Sequence, residues 1–422
     1  MAITKELRVD KKYFVKELST LDNYVLSNEI QKVVLEPGEI KTLTFENELK
    51  KGQIKIVKVD KDNNEIHLSG VEFQILDEDN NIVDTIITGE NGITVSKELR
   101  IDKKYFIKEF STLQNYVLSE EIKQIVLEQD KITDIIFENE KIKGYIEITK
   151  LSEDDNHITG EKKGTLLKDA VFEIMNDNSD IIATVKTLDN GKILTPLLEY
   201  GDYYIKEKSS GSDNYLLNNE VYKVEIRENL QVIPIEITNQ SVRIGLDIDK
   251  NGIIQSQAND EIKYGFNSLK NTSNVSLDNF TWMDNLPYEF IRITKLFTGT
   301  YNENLDYIVK YKTNKTEDYI ELGKFNTQKN NYIDFENVEL AEGEYITDFK
   351  MEFGTVMPGF EAIEKPFIFS KVLSTVKFDD KWTNYTTLTG NYKENKLEDK
   401  AEWNTISYAK EFKINKLPKT GF

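Results

Sequence analysis

Short stretches in which apolar and polar residues alternate run along most of the chain, punctuated by Asn, Asp and Gly. Ile54 and Ile56, Tyr105 and Ile107, and Ile135 and Phe137 are each spaced by two, the period of a strand with one buried face. Turn clusters such as Glu90-Asn91-Gly92 and Asp189-Asn190-Gly191 separate them. The alternation continues in Ile262-x-Tyr264-x-Phe266, Tyr307-x-Val309-x-Tyr311 and Phe349-x-Met351-x-Phe353. The pattern predicts an all-β chain of tandem β-sandwiches.

Self-similarity divides the chain. The segment from Lys5 to Ile30 recurs from Lys97 to Ile122 at an offset of 92, and the match runs on to Phe-Glu-Asn-Glu at Phe45 and Phe137. Roughly 30 of about 50 positions are identical. A diverged copy follows, with Gly144-Tyr145-Ile146 matching Gly52-Gln53-Ile54 and Tyr203 to Glu207 matching Tyr105 to Glu109. The repeats are therefore 52–143 and 144–240, and 1–51 reads as the C-terminal half of a repeat. Such a half should leave an edge unpaired, so it is expected to be poorly ordered or completed by a neighbouring chain.

Strand phase then isolates three polar residues per repeat. Lys58 shares a face with Ile54 and Ile56, Glu109 with Tyr105 and Ile107, and Asn139 with Ile135 and Phe137. Lys150, Glu207 and Asn239 repeat the arrangement. A lone lysine or glutamate on a buried face is costly, so the three groups are expected to meet in the core. The half-repeat keeps Glu17 and Asn47 but has no lysine-bearing strand.

These features resemble the collagen-adhesin B-type domains of Gram-positive surface proteins and pilins, a prealbumin-like and Ig-like sandwich. The resemblance covers 1–240 and rests on the Lys-x-Asp start, the Leu-x-Gly-x-x-Phe core, the Tyr-x-x-x-Glu strand and the terminal Asn. It implies autocatalytic isopeptide bonds, Lys58 to Asn139 assisted by Glu109 and Lys150 to Asn239 assisted by Glu207. Ser152 replaces the Asp of the first motif in the later copy and Asp169 the Gly of the second. The physics is consistent, because desolvation favours the neutral forms of a buried amine and a buried acid.

Beyond 240 the repeat signature ends. Residues 241–372 resemble the Ig-like repeats of bacterial surface proteins, and 373–416, rich in Lys, Asp, Asn and Thr, read as a polar spacer with a strand or two. A crosslink with an aspartate as the acid would nominate Lys250 and Asp284 there. No acceptor asparagine is legible, so a turn lysine and a loop aspartate is the expectation.

Composition narrows the function. The 422 residues carry a net charge of −20, which argues against nucleic acid or an anionic membrane as a partner. There is no Cys, so an exported chain would need another covalent brace. His67 and His157 stand in polar turns, and no metal or other cofactor is expected. Asp60-x-Asp62-x-Asn64 opens like a calcium loop, but Ile66 and Gly70 break the pattern, leaving a β-turn. With no catalytic Cys, positioned His or phosphate loop, the chain is not expected to be an enzyme.

Leu417-Pro418-Lys419-Thr420-Gly421, within the end segment 417–422, resembles the sorting motif that sortases cut between Thr and Gly. It implies a secreted protein joined to peptidoglycan, or to another pilus subunit, on a Gram-positive cell surface. No apolar leader precedes the first repeat and no membrane span follows the motif, as in a fragment or processed form. The expected role is the rigid stalk of an adhesin. The alternatives are a pilin subunit, or an adhesin binding a host extracellular-matrix protein through its C-terminal sandwich.

Overall fold

The computed structural model describes residues 2–408 and is built of strands, with one 3₁₀ turn at Phe335–Asn337. The all-β expectation is met. Two compact units divide the chain, one comprising Met1–Lys150, Lys168–Ser209 and Asn219–Ile237, the other Leu151–Leu167, Ser210–Asn218 and the residues from 238 onward.

In the first unit the half-repeat forms a hairpin, Lys12–Lys16 against Ile30–Val34, in a sheet of only two strands. Phe14, Leu18, Leu21 and Ile40 stay exposed because no second sheet covers them. The next copy is complete. Its Lys51–Asp60 strand lies between the parallel strand Ile132–Asn139 and the short antiparallel strands Ile93–Val95 and Leu99–Arg100. Facing it is the antiparallel sheet Ile82–Ile87, Glu72–Leu76, Lys104–Ser111, Ile122–Val126. Ile54, Ile56, Phe73, Ile75, Ile107 and Phe137 fill the space between the sheets without exposure.

The later copy repeats this plan. Lys143–Ser152 pairs with Lys192–Leu194, Leu198–Glu199 and Val232–Asn239, opposite the sheet Ile181–Lys186, Val171–Met175, Gly201–Ser209, Val221–Ile226. Small polar side chains recur at matched places. Ser96 and Thr195 accept from the backbone N–H of Ile54 and Ile146, and Thr88 and Thr187 from Val71 and Ala170. Each buries an otherwise unpaired strand donor with its acceptor.

The second unit holds a larger sandwich. Five strands, Leu246–Asn251, Glu261–Asn271, Phe367–Val372, Ile291–Phe297 and Tyr332–Asp334, form one sheet in that order. The other has seven: Gln255–Ser256, Asn395–Ser407, Lys381–Tyr392, Leu277–Asn285, Ile346–Val356, Asp306–Thr313 and Ile320–Asn326. Tyr264, Phe266, Trp282, Phe349 and Met351 are fully buried between them. One expectation is corrected here. A boundary at 372 followed by a spacer cuts this sheet, because Lys381–Tyr392 and Asn395–Ser407 pair along their whole length and lie inside it. Their inward residues include Asn384, Thr386 and Thr405 as well as Trp382 and Leu388, so the buried face does not read as apolar.

Candidate functional site

The site of the first complete sandwich follows from register. Parallel pairing sets Lys58 opposite Phe137 and Asp60 opposite Asn139, so the lysine and asparagine are diagonal neighbours on one inward face. Across the core, Glu109 pairs with Phe73, which brings its carboxylate inward at the same level. The Asn91-Gly92 turn closes over the lysine backbone, whose N–H donates to Gly92 O at 2.8 Å. Gly92 has φ of +65°, and a Cβ there would fall 2.7 Å from Lys58 O, so only glycine fits.

The side chains meet in a dry core. Lys58 is 0% exposed, Asn139 1% and Glu109 5%. Lys58 Nζ donates to Asn139 Oδ1 at 2.5 Å and stands 2.9 Å from Glu109 Oε2, off the hydrogen-bonding direction of that oxygen. Asn139 Nδ2 donates to Glu109 Oε1 at 2.6 Å and to Thr112 Oγ1 at 2.7 Å. Glu109 thus places one oxygen at each nitrogen. Burial holds the Lys58 pKa below the usual lysine range, opposed by the adjacent Glu109. The Phe73 ring lies 6.0 Å from the amine, and the Phe73 and Phe137 rings pack at 4.9 Å.

Asp60 does separate work. Its carboxylate accepts the N–H groups of Asp62 and Asn63 and the Tyr116 hydroxyl, which fixes the turn just beyond the lysine strand. Those bonds occupy the oxygens that a calcium loop would use. Among the described residues no group of three or more His, Cys, Asp or Glu could hold a metal ion.

In the later copy Lys150 is 0% exposed, and its Nζ lies 3.2 Å from Glu207 Oε1. The Lys150 N–H donates to Gly191 O at 2.8 Å, as Lys58 does to Gly92. Asn239 is buried, and its carbonyl accepts from Glu153 N at 2.9 Å, the counterpart of Asn139 accepting from Lys61. In the half-repeat Asn47 Nδ2 donates to Glu17 Oε1 at 2.8 Å and to Thr20, while Asn47 Oδ1 has no partner. The asparagine amide and the Ser27 N–H hold the Glu17 carboxyl below the usual range.

Thr112 and its counterpart Thr20 were not among the expected site residues. Their signal is the Ser-Thr-Leu that follows the glutamate strand in both close copies. Lys250 and Asp284 depart from expectation as well, since both lie in strands and are buried, at 3% and 0% exposure. The motif Leu417 to Gly421 lies outside the described residues.

Residues 52–141 and 144–241 each match the family model of the SpaA prealbumin-like fold domain. No curated protein matches the chain. Among solved structures, the TIE protein of Bacillus anthracis is similar at 31% identity over 55% of this chain and 42% of its own, with a TM-score of 0.46. This chain therefore spans about two fifths of that protein. The minor pilin GBS52 of Streptococcus agalactiae shares 17% identity over 46% of this chain and 97% of its own, TM-score 0.23. The major pilin subunit of Bacillus cereus shares 15% over 63% and 69%, TM-score 0.24. Among the described residues no helix is long and apolar enough to cross a membrane.

Proposed function

We propose that residues 52–240 are a load-bearing segment of a Gram-positive surface protein or pilus, in which an amide between first and last strands closes each sandwich. The bonds are Lys58–Asn139, with Glu109 as acid and base, and Lys150–Asn239, with Glu207. The observation that carries this reading is the contact of Lys58 with Asn139 and Glu109 in a core without water access.

The reaction follows from the placement of the two Glu109 oxygens. Lys58 passes a proton to Oε2 and becomes a neutral amine, which burial favours. Nζ attacks Asn139 Cγ, and the acid donates to the carbonyl oxygen as the tetrahedral centre forms. A proton from the attacking nitrogen returns to the carboxylate and passes through Oε1 to Nδ2. As the Cγ–Nδ2 bond breaks, the proton on the carbonyl oxygen returns to the carboxylate and is handed to the departing ammonia, which leaves as ammonium, so Glu109 ends as it began. For Lys150 and Glu207 the support is the buried ion pair, the buried Asn239 and the repeat itself.

The bond would change how the domain carries tension. Force entering at Gly52 would cross from Lys58 to Asn139, bypassing the residues between them. Closing that loop would also stabilise the fold by roughly 4–5 kcal/mol by analogy with a disulfide. Pulling single molecules tests the role. The wild type should show no extension from residues 59–138, whereas Glu109→Ala should release about 280 Å as that segment unravels. Release of that length by the wild type would contradict a load-bearing clamp.

Attachment rests on Leu417 to Gly421. A sortase would form a thioester with Thr420, releasing Gly421, and an amine of peptidoglycan or of another subunit would resolve it. Incubation with sortase and a labelled glycine peptide should label Thr420. An unlabelled chain beside a labelled control substrate would remove this part of the proposal.

A further inference from the structure

The half-repeat holds an acceptor without its donor. In the complete copy Asn139 Oδ1 accepts from Lys58 Nζ, whereas the equivalent Asn47 Oδ1 is buried and has no hydrogen-bond partner. Glu17 Oε1 already accepts from Asn47 Nδ2 at 2.8 Å, and Glu17 Oε2 from Ser27 N at 3.0 Å. The backbone shows the same gap. Ile132–Asn139 and Leu99–Arg100 flank the lysine strand of the complete copy on its two sides. Their equivalents, residues 40–47 and Leu7–Arg8, form no strand. Val15 and Phe45 are half-buried where Ile107 and Phe137 are 0% exposed. Backbone left unpaired in this way is a template for an added strand.

A segment that fits the gap is present in the sequence, outside the described residues. Glu411-Phe412-Lys413-Ile414-Asn415-Lys416 repeats the pattern of Gln53-Ile54-Lys55-Ile56-Val57-Lys58. Phe412 and Ile414 match Ile54 and Ile56, which fill the core of the complete copy, and Lys416 matches Lys58. Lys419 matches Lys61, whose amine pairs with Glu140, and the half-repeat keeps that acid as Glu48. The charges agree, with Lys413, Lys416 and Lys419 on the segment and Glu17, Glu46 and Glu48 on the acceptor. One position departs. Pro418 replaces Asp60, whose carboxylate takes the Tyr116 hydroxyl, so the counterpart Tyr24 would lack that acceptor.

We propose that residues 411–416 of a second copy enter the half-repeat as its lysine strand, and that Lys416 forms an amide with Asn47. The bond-forming step rests on the chemistry proposed for Lys58. Lys416 Nζ joins Asn47 Cγ as the Cγ–Nδ2 bond breaks. Two protons of the lysine ammonium pass by way of Glu17 to the departing nitrogen, which leaves as ammonium, and no oxidant or cofactor is needed. Donor and acceptor are different surfaces of one chain, so the contact is heterologous and can repeat from copy to copy.

Denaturing gels and mass spectrometry of the folded full chain, incubated over a range of concentrations, test it. Covalent dimers and longer multiples should build up with concentration, each joint expelling about 17 Da. Digestion of the dimer should yield a branched peptide joining Lys416 to Asn47. Lys416→Arg and Asn47→Ala should each stay monomeric alone, and a mixture of the two should stop at a dimer. Lys416→Arg leaves every described residue unchanged, so its result does not hinge on folding. Folded wild type that stays monomeric at every concentration would overturn the proposal. The Lys58–Asn139 branch, scored in the same digest, shows separately whether the clamp chemistry stands. A monomer with Lys416 joined to its own Asn47 would overturn the second copy as donor, and multiples branched at other residues would overturn the pairing.

Discussion

Replacing Glu109 by Ala is expected to leave the first complete sandwich without its clamp and to raise the intact mass by about 17 Da relative to a clamped chain, after allowing for the substitution. Two losses combine. The loop constraint contributes roughly 4–5 kcal/mol, and an uncompensated Lys58 in an apolar core costs about 3–5 kcal/mol. Together they approach the whole stability of a small domain, about 5–15 kcal/mol. Thermal unfolding should therefore show this sandwich melting far below its wild-type midpoint. Glu109→Gln separates the two terms, because it keeps the volume and removes the proton carrier. It should block the bond while disturbing the packing less. A Glu109→Gln chain that still expels the first ammonia would contradict the role given to Glu109.

Ending the chain after Val372 should unfold the C-terminal sandwich. The truncation removes strands of 12 and 13 residues from within the seven-stranded sheet and leaves Leu277–Asn285 as an edge. Trp282 would lose the Thr386 hydroxyl that accepts its indole N–H at 2.8 Å. Trp382 and Leu388 would leave the core, and emptying such sites costs about 2–5 kcal/mol each. Near-UV circular dichroism should lose the signal of Trp282, the one tryptophan that the truncation keeps, while a fragment of residues 52–240 keeps its β-sheet spectrum. A truncated chain that melts cooperatively with that signal intact would restore the reading of 373–416 as a spacer.

What was legible in the sequence depended on the chemistry of the buried face. Ile54, Ile56 and Phe137 alternate cleanly with polar neighbours, so their strands and the inward phase of Lys58, Glu109 and Asn139 could be read directly. The repeat then carried the reading to Lys150, Glu207 and Asn239. The strand from Lys381 hides the same phase, because Asn384 and Thr386 stand inward between Trp382 and Leu388. A polar residue that is buried by pairing, or as a reactant, looks like a surface residue in one sequence. Thr112 was missed for a related reason, since its contact with Asn139 depends on how the loop after the glutamate strand folds back. The half-repeat was legible in outline. Among the described residues its two strands pair only with each other, and its Glu17 and Asn47 still meet without a lysine.

The most direct test of the central claim is the intact mass of the purified, folded chain. Each amide expels one ammonia, so the clamps at Lys58 and Lys150 predict a mass about 34 Da below that of the unmodified sequence. A folded chain at its unmodified mass would contradict the account, leaving Lys58, Glu109 and Asn139 as a buried hydrogen-bonded network and nothing more.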